Sequence, residues 1–191
     1  PIREIIEYDG LILFATEDGV ERFNETSFSW ESTWTPGNGL PNNMGDWVGE
    51  LWTDGTHLVV GSATFAGWGG FQRGVVGHLD GSTGTWSTFN TGQNGVPNGY
   101  PLSMNTCGSY LYIGLFNNNG GVMYMDLNTS SVIGSFTTSV LSSGRVASVA
   151  CDAVDTLYVG YDADDQGISK YDTVSGTVSY THLRAHETNV D

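Results

Sequence analysis

An all-β fold of repeated antiparallel sheets is what this sequence predicts, and three observations carry the prediction. A short apolar run ending in a small residue occurs four times, at residues 12–15, 58–61, 111–114 and 157–160. Each run leads through a turn to a second strand-like start: Gly19-Val20, Gly74-Val75, Gly121-Val122 and Gly167-Ile168. The anchors at 12, 58, 111 and 157 are spaced by 46, 53 and 46 residues. Composition agrees, because Gly, Thr, Ser and Asn are abundant and long helix-forming stretches are missing, which favours short strands and tight turns. A repeat of this length made of strands and turns is a propeller blade. The expectation is therefore a partial β-propeller of four consecutive four-stranded antiparallel blades, an open arc of a larger ring. The blades fall near 1–35, 46–90, 100–137 and 145–177.

The second repeat shows the unit most plainly. Residues 48–53 alternate as a first strand, and Asp54-Gly55 is a hairpin turn. Residues 58–62 are almost wholly apolar, as a strand buried on both faces should be. Residues 75–79 make the third strand, 80–84 a turn, and 85–89 the fourth. In the first repeat Asp9-Gly10 takes the hairpin, 20–23 the third strand and 30–34 the fourth; 122–126 and 168–171 continue the pattern. A lone blade cannot cover both faces of its sheet, so Trp30, Trp34, Trp52, Trp86, Tyr112 and Tyr158 are expected to fill the space between blades.

The ends and the charge set limits. Pro1 is not preceded by a Met, a basic segment or an apolar signal run, so the natural start is expected upstream. Residues 178–188, Val-Ser-Tyr-Thr-His-Leu-Arg-Ala-His-Glu-Thr, resemble one reading frame of a transposase adapter used in sequencing libraries. The natural sequence is thus expected to stop near Thr177, with 178–191 a non-native tail. His182 and His186, beside Glu187, imitate a metal-binding helix there and receive no function. A net charge of −15 with only 6 Lys+Arg argues against a nucleic-acid partner, which needs a basic stripe. No apolar run approaches the ~18 residues of a membrane span.

Cys107 and Cys151 stand at matching places, just before the second strands of consecutive repeats. One reading is a disulfide between neighbouring blades. The other, favoured by geometry, is two separate buried thiols, because equivalent points on adjacent blades usually lie beyond the ~7 Å that a disulfide spans. Two thiols alone also lack the remaining ligands of a zinc site.

Between the first repeats stands Asn38-Gly39-Leu40-Pro41-Asn42-Asn43, and at the next junction Asn94-Gly95-Val96-Pro97-Asn98. With the apolar-Gly and Gly-Val anchors, these resemble the propeller repeats in sensor regions of hybrid two-component regulators. They are also similar to repeats in large surface proteins of marine archaea. The resemblance spans residues 1–177 and implies a blade type and a sensing role, with no catalytic residues to transfer. The third junction, residues 139–144, lacks the Asn-Gly-Leu-Pro element.

Strand order separates two rims. With strands lettered A to D outward, A–B and C–D turns share one rim and are short. The B–C loops and D–A links share the other and vary in length, which marks it as the binding rim. The longest insertion, residues 63–73, carries Phe65, Trp68 and Phe71 among glycines, with Arg73 behind them. Those rings either form a stacking surface for a sugar or peptide, with Arg73 pairing a carboxylate, or fold onto their own blade. The D–A links add Asn42, Asn98 and Tyr100 on the same rim. Asp162, Asp164 and Asp165 resemble the start of a calcium loop, yet Thr173 stands where the helix-flanked motif needs its last Glu. Calcium is the one cofactor considered, and solvated turn carboxylates are the alternative. Asn24-Glu25-Thr26 and Asn128-Thr129-Ser130 fit glycosylation acceptors in C–D turns.

Catalysis finds little support: outside the tail only His57 and His78 remain, neither in a nucleophile or metal motif. The leading expectation is a non-enzymatic extracellular or cell-surface segment for recognition or adhesion. Its partners would be a glycan or protein ligand and the remaining blades of the parent chain. A polysaccharide-acting propeller enzyme and an intracellular interaction scaffold are the alternatives; turnover of polysaccharide would favour the first, and absence of a signal peptide in the parent sequence the second.

Overall fold

A computed structural model describes residues 1–66, 70–162 and 167–181. Four successive four-stranded antiparallel sheets make up the chain, as expected for a partial propeller. Blade one holds β1 (Glu4–Tyr8), β2 (Leu11–Thr16), β3 (Gly19–Asn24) and β4 (Ser29–Trp30). The link after it pairs two short parallel strands, β5 (Thr35–Pro36) and β6 (Gly39–Leu40). Blade two holds β7 (Trp47–Thr53), β8 (His57–Ala66), β9 (Gly70–Asp80) and β10 (Thr85–Asn90). Blade three holds β11 (Tyr100–Cys107), β12 (Tyr110–Phe116), β13 (Gly121–Asp126) and β14 (Ser131–Phe136). Blade four holds β15 (Val146–Cys151), β16 (Thr156–Tyr161), β17 (Ile168–Asp172) and β18 (Thr177–Thr181). The last strand takes in the beginning of the adapter-like stretch, while His182 and His186 lie outside the described residues.

Two elements differ from expectation. The fourth strand of blade one is only two residues long, with a further bridge from Val20 to Trp34. The insertion in blade two is not a loop: β8 and β9 run on as a hairpin, pairing Thr64 with Arg73 and Phe65 with Phe71. Its glycines suggested a loop, but alternate residues there still form cross-strand pairs, and aromatic pairs of this kind support a ladder.

Each blade turns one face to its predecessor and the other to its successor, and three apolar layers result. Leu13, Ala15 and Val20 of blade one meet Val48, Leu51, Leu58 and Val60 of blade two. Val59 and Val76 then meet Met104, Leu111, Ile113 and Met123 of blade three. Tyr112, Val122 and Phe136 meet Val149, Leu157 and Val159 of blade four. Trp34, Trp52 and Trp86 pack against these layers as expected. Trp30 does not: it is 62% exposed, because no blade covers the outer face of blade one among the described residues.

Polar latches join the innermost strands. Ser103 Oγ accepts the Val149 N–H at 3.0 Å, and at the equivalent place in blade two Glu50 accepts the Met104 N–H at 3.3 Å. Burial, with the nearby Glu4 charge adding to it, raises the Glu50 carboxyl to a pKa of about 8, so Glu50 serves as a largely protonated latch at neutral pH.

Cys107 and Cys151 are joined in a disulfide, contrary to the expectation of separate thiols. Both end first strands, and first strands of adjacent blades converge around the axis, bringing these Cα atoms to 5.4 Å. The distance argument holds for the outer strands and fails at the inner ones.

Candidate ligand-binding cleft

The first strands of blades two to four share a device. Each shifts register at the same place, between Val48 and Glu50, Pro101 and Ser103, and Val146 and Ser148. Beyond the bulge lie Trp47, Tyr100 and Arg145, facing Ala63, Phe116 and Asp162 of their own second strands and the turn that follows. A bulge adds local twist and re-aims the side chains next to it. These three side chains therefore gather on the rim of the B–C loops and D–A links.

Tyr100 is the hub. Its ring centroid lies 5.5 Å from Trp47, 5.6 Å from Phe65, 5.4 Å from Phe71 and 5.2 Å from Phe116. Trp47 and Phe65 meet edge to face at 5.4 Å. Tilted and edge contacts at these separations are the favoured aromatic geometry. Each end of the row is capped by an arginine. Arg3 lies 4.6 Å above the Trp47 ring and pairs with Glu17 at 3.1 Å. Arg145 lies 5.0 Å from the Phe116 ring and pairs with Asp162 at 2.9 Å. Such exposed pairs add little stability, but ring and carboxylate together fix where each guanidinium points.

A solvent-open cleft of about 390 Å³ results, lined by Arg3, Glu17, Trp47, Phe65, Tyr100 and Leu102. That volume lies within the range of small-molecule sites, and an apolar floor with a few polar groups is their usual chemistry. Burial pushes the Tyr100 phenol above its ordinary pKa, so it offers a neutral hydroxyl.

Of the residues singled out in the sequence, Phe65, Phe71 and Tyr100 come together here. Trp68 lies outside the described residues. The Arg73 guanidinium donates to the Asn43 carbonyl at 2.7 Å and braces the D–A link. Asn42 and Asn98 are exposed in their links and do not line the cleft. Asp162 is held by Arg145, and Asp164 and Asp165 lie outside the described residues. Among the described residues, no three His, Cys, Asp or Glu side chains are placed to hold a metal ion. His57 pairs with Asp54 at 2.9 Å in an A–B hairpin, on the opposite rim.

Sequence reasoning missed Arg3, Glu17, Trp47, Phe116 and Arg145. A usable signal was present: Trp47, Tyr100 and Arg145 each stand three or four residues before the middle of a first strand, at one repeat position.

No family model matches the chain, and no curated protein matches its sequence. Solved structures match its fold. The extracellular domain of a protein described as a hybrid two-component system of B. thetaiotaomicron aligns with a TM-score of 0.67 at 18% identity, covering 96% of this chain and 24% of that one. A second extracellular domain from the same organism, described as a one-component system, gives 0.66 at 16% identity, covering 98% and 22%. U3-55K gives 0.67 at 13% identity, covering 95% of this chain and 51% of its own. The chain thus spans about a quarter of the sensor domains it resembles. Likeness at this identity establishes the fold.

Proposed function

We propose that this chain is part of an extracellular recognition module of the sensor or adhesion type, and that the cleft around Tyr100 takes a glycan or protein ligand. The observation that carries the reading is the convergence of Trp47, Phe65 and Tyr100 with Arg3 on one open cleft, drawn from three blades. Aromatic rings stack on the C–H face of a sugar or on an apolar side chain, and the flanking arginine and glutamate bond its hydroxyls or amides. Similarity to extracellular sensor domains supports a sensing role outside the cell. The Cys107–Cys151 disulfide supports an oxidising compartment.

Glycan and peptide arrays probed with the chain test the reading, followed by titration of any hit. Tyr100→Ala is expected to weaken a genuine ligand about tenfold or more, the worth of one aromatic contact of ~1.5 kcal/mol. Tyr100→Phe should retain most of the affinity. Binding in neither array, or affinity untouched by both Tyr100→Ala and Trp47→Ala, refutes the site.

A further inference from the structure

A second cleft lies at the outermost strands of blades two and three, and it shares no lining residue with the cleft around Tyr100. It holds about 290 Å³, near the lower end of small-molecule sites and enough for one sugar ring. Phe89, Val96 and Val132 form its apolar floor, where the layer between the two blades reaches the surface. Its polar lining comes from Asn90, Gln93 and Asn94, with Thr88 beside them, and none of the lining residues carries a charge.

The fold builds this corner differently from its counterparts. In blades one and three the pairing of third and fourth strands ends at Val20–Trp34 and Val122–Phe136. The equivalent rung of blade two is Val76–Phe89, since Val76 pairs with Gly61 as Val122 does with Gly114 and Val20 with Ala15. Blade two then adds one rung more, Val75–Asn90. The added residue brings a carboxamide whose Oδ1 is buried with no hydrogen-bond partner among the described residues. A buried acceptor left unpaired costs stability, and a breach of this kind is expected where a site needs the group.

The turn that follows is fixed in place. The Val96 N–H donates to the Gln93 carbonyl at 2.9 Å, and Asn94 and Gly95, at φ 51° and 81°, are the left-handed pair that such a tight turn favours. Ser135 Oγ donates to the Gly95 carbonyl at 2.8 Å and ties the turn to blade three. Gln93 and Asn94 are exposed on it, whereas Thr88 Oγ1 accepts Asn43 Nδ2 at 2.9 Å. From this we propose that the cleft binds a neutral sugar unit. Carboxamides both donate and accept, as neighbouring sugar hydroxyls do, and Phe89 with Val132 gives an apolar surface for the C–H side of the ring. An ionic ligand would meet no counter-charge among the lining residues. The site does not depend on what the Tyr100 cleft takes.

Heteronuclear NMR of the isotope-labelled whole chain tests the proposal, with glucose, galactose, mannose, xylose and N-acetylglucosamine as probes. At least one sugar is expected to shift the side-chain amide signals of Asn90, Gln93 and Asn94 saturably, each signal being assigned by its loss in the matching variant. Gln93→Ala and Asn94→Gly, both at exposed positions, should each weaken that sugar about fivefold, the worth of one neutral hydrogen bond. Asn90→Leu should abolish binding while the melting temperature holds or rises, because it removes the unpaired acceptor; a purely structural Asn90 would instead lower it. If Asn90→Leu does not fold, the two exposed variants decide. Tyr100→Ala should leave these shifts and the affinity as they are, which separates this site from the proposed cleft. The proposal is overturned if no sugar moves the three amide signals, or if affinity is unchanged in both Gln93→Ala and Asn94→Gly. Shifts abolished by Tyr100→Ala, or produced by extended peptides and by none of the sugars, overturn it as well.

Discussion

Glu50 should make the stability of this protein fall as pH rises through neutrality. Its carboxyl is half-buried between blades two and three and accepts the Met104 N–H at 3.3 Å. Burial, reinforced by Glu4, lifts its pKa from 4.5 to about 8. A raised folded-state pKa means that the native form binds more protons than the unfolded chain between those two values. The stabilisation is complete below about pH 4.5 and is lost as pH climbs through about 8. At ~1.4 kcal/mol per pKa unit the loss has a ceiling near ~5 kcal/mol, and partial access to water reduces it to about 2–3 kcal/mol. For a chain of this size that corresponds to roughly 4–12 °C in melting temperature. Glu50→Gln keeps the volume and an oxygen to accept the Met104 N–H, and has no proton to lose. Urea denaturation at half-unit steps from pH 5 to 9 should show wild type losing stability and Glu50→Gln staying nearly level. Asp54, Asp80, Asp152 and Asp172 have lowered pKa values, so they are already ionised in both states across this window. Parallel profiles for wild type and variant would refute the reasoning.

His78 should act in the opposite sense. It is fully buried with no hydrogen-bond partner on either ring nitrogen among the described residues, and burial, with the His57 charge, lowers its pKa. Its penalty appears as pH falls below about 6.5, so His78→Leu should remove that acid-side loss and gain about 1 kcal/mol at neutral pH, read from urea melts. Reducing the Cys107–Cys151 bond, or replacing both cysteines by Ser, releases a loop with sequence separation 44. Chain-entropy reasoning puts that loss near ~4 kcal/mol, to be checked by thermal melts with and without reductant.

The repeat itself was readable because the four anchor runs are apolar in one rhythm, and each blade must bury both faces. The cleft was readable only in part. Phe65, Phe71 and Tyr100 announced themselves as aromatics in variable segments. Arg3–Glu17 and Arg145–Asp162 did not, since each pair joins the start of a first strand to the end of a second, across a register that only the folded sheet defines. The brace from Arg73 was hidden for a related reason: its backbone carbonyl partner lies 30 residues away in the D–A link and is brought to it only by the fold. The disulfide escaped because one distance was applied to all strands of a blade, although spacing narrows toward the axis.

The repeated bulge separates two kinds of inheritance. On its inner side, residues such as Leu51, Met104 and Val149 answer to the packing of neighbouring sheets and cannot vary freely. On its outer side, Trp47 and Tyr100 pack into the aromatic row at the rim and Arg145 caps it, so they answer to that row and not to the stacking of the sheets. Duplicated blades can therefore diverge at this rim without renegotiating how they stack. Exchanging the residue beyond a bulge is the smallest edit that would reshape the rim cleft while leaving the stacked sheets alone.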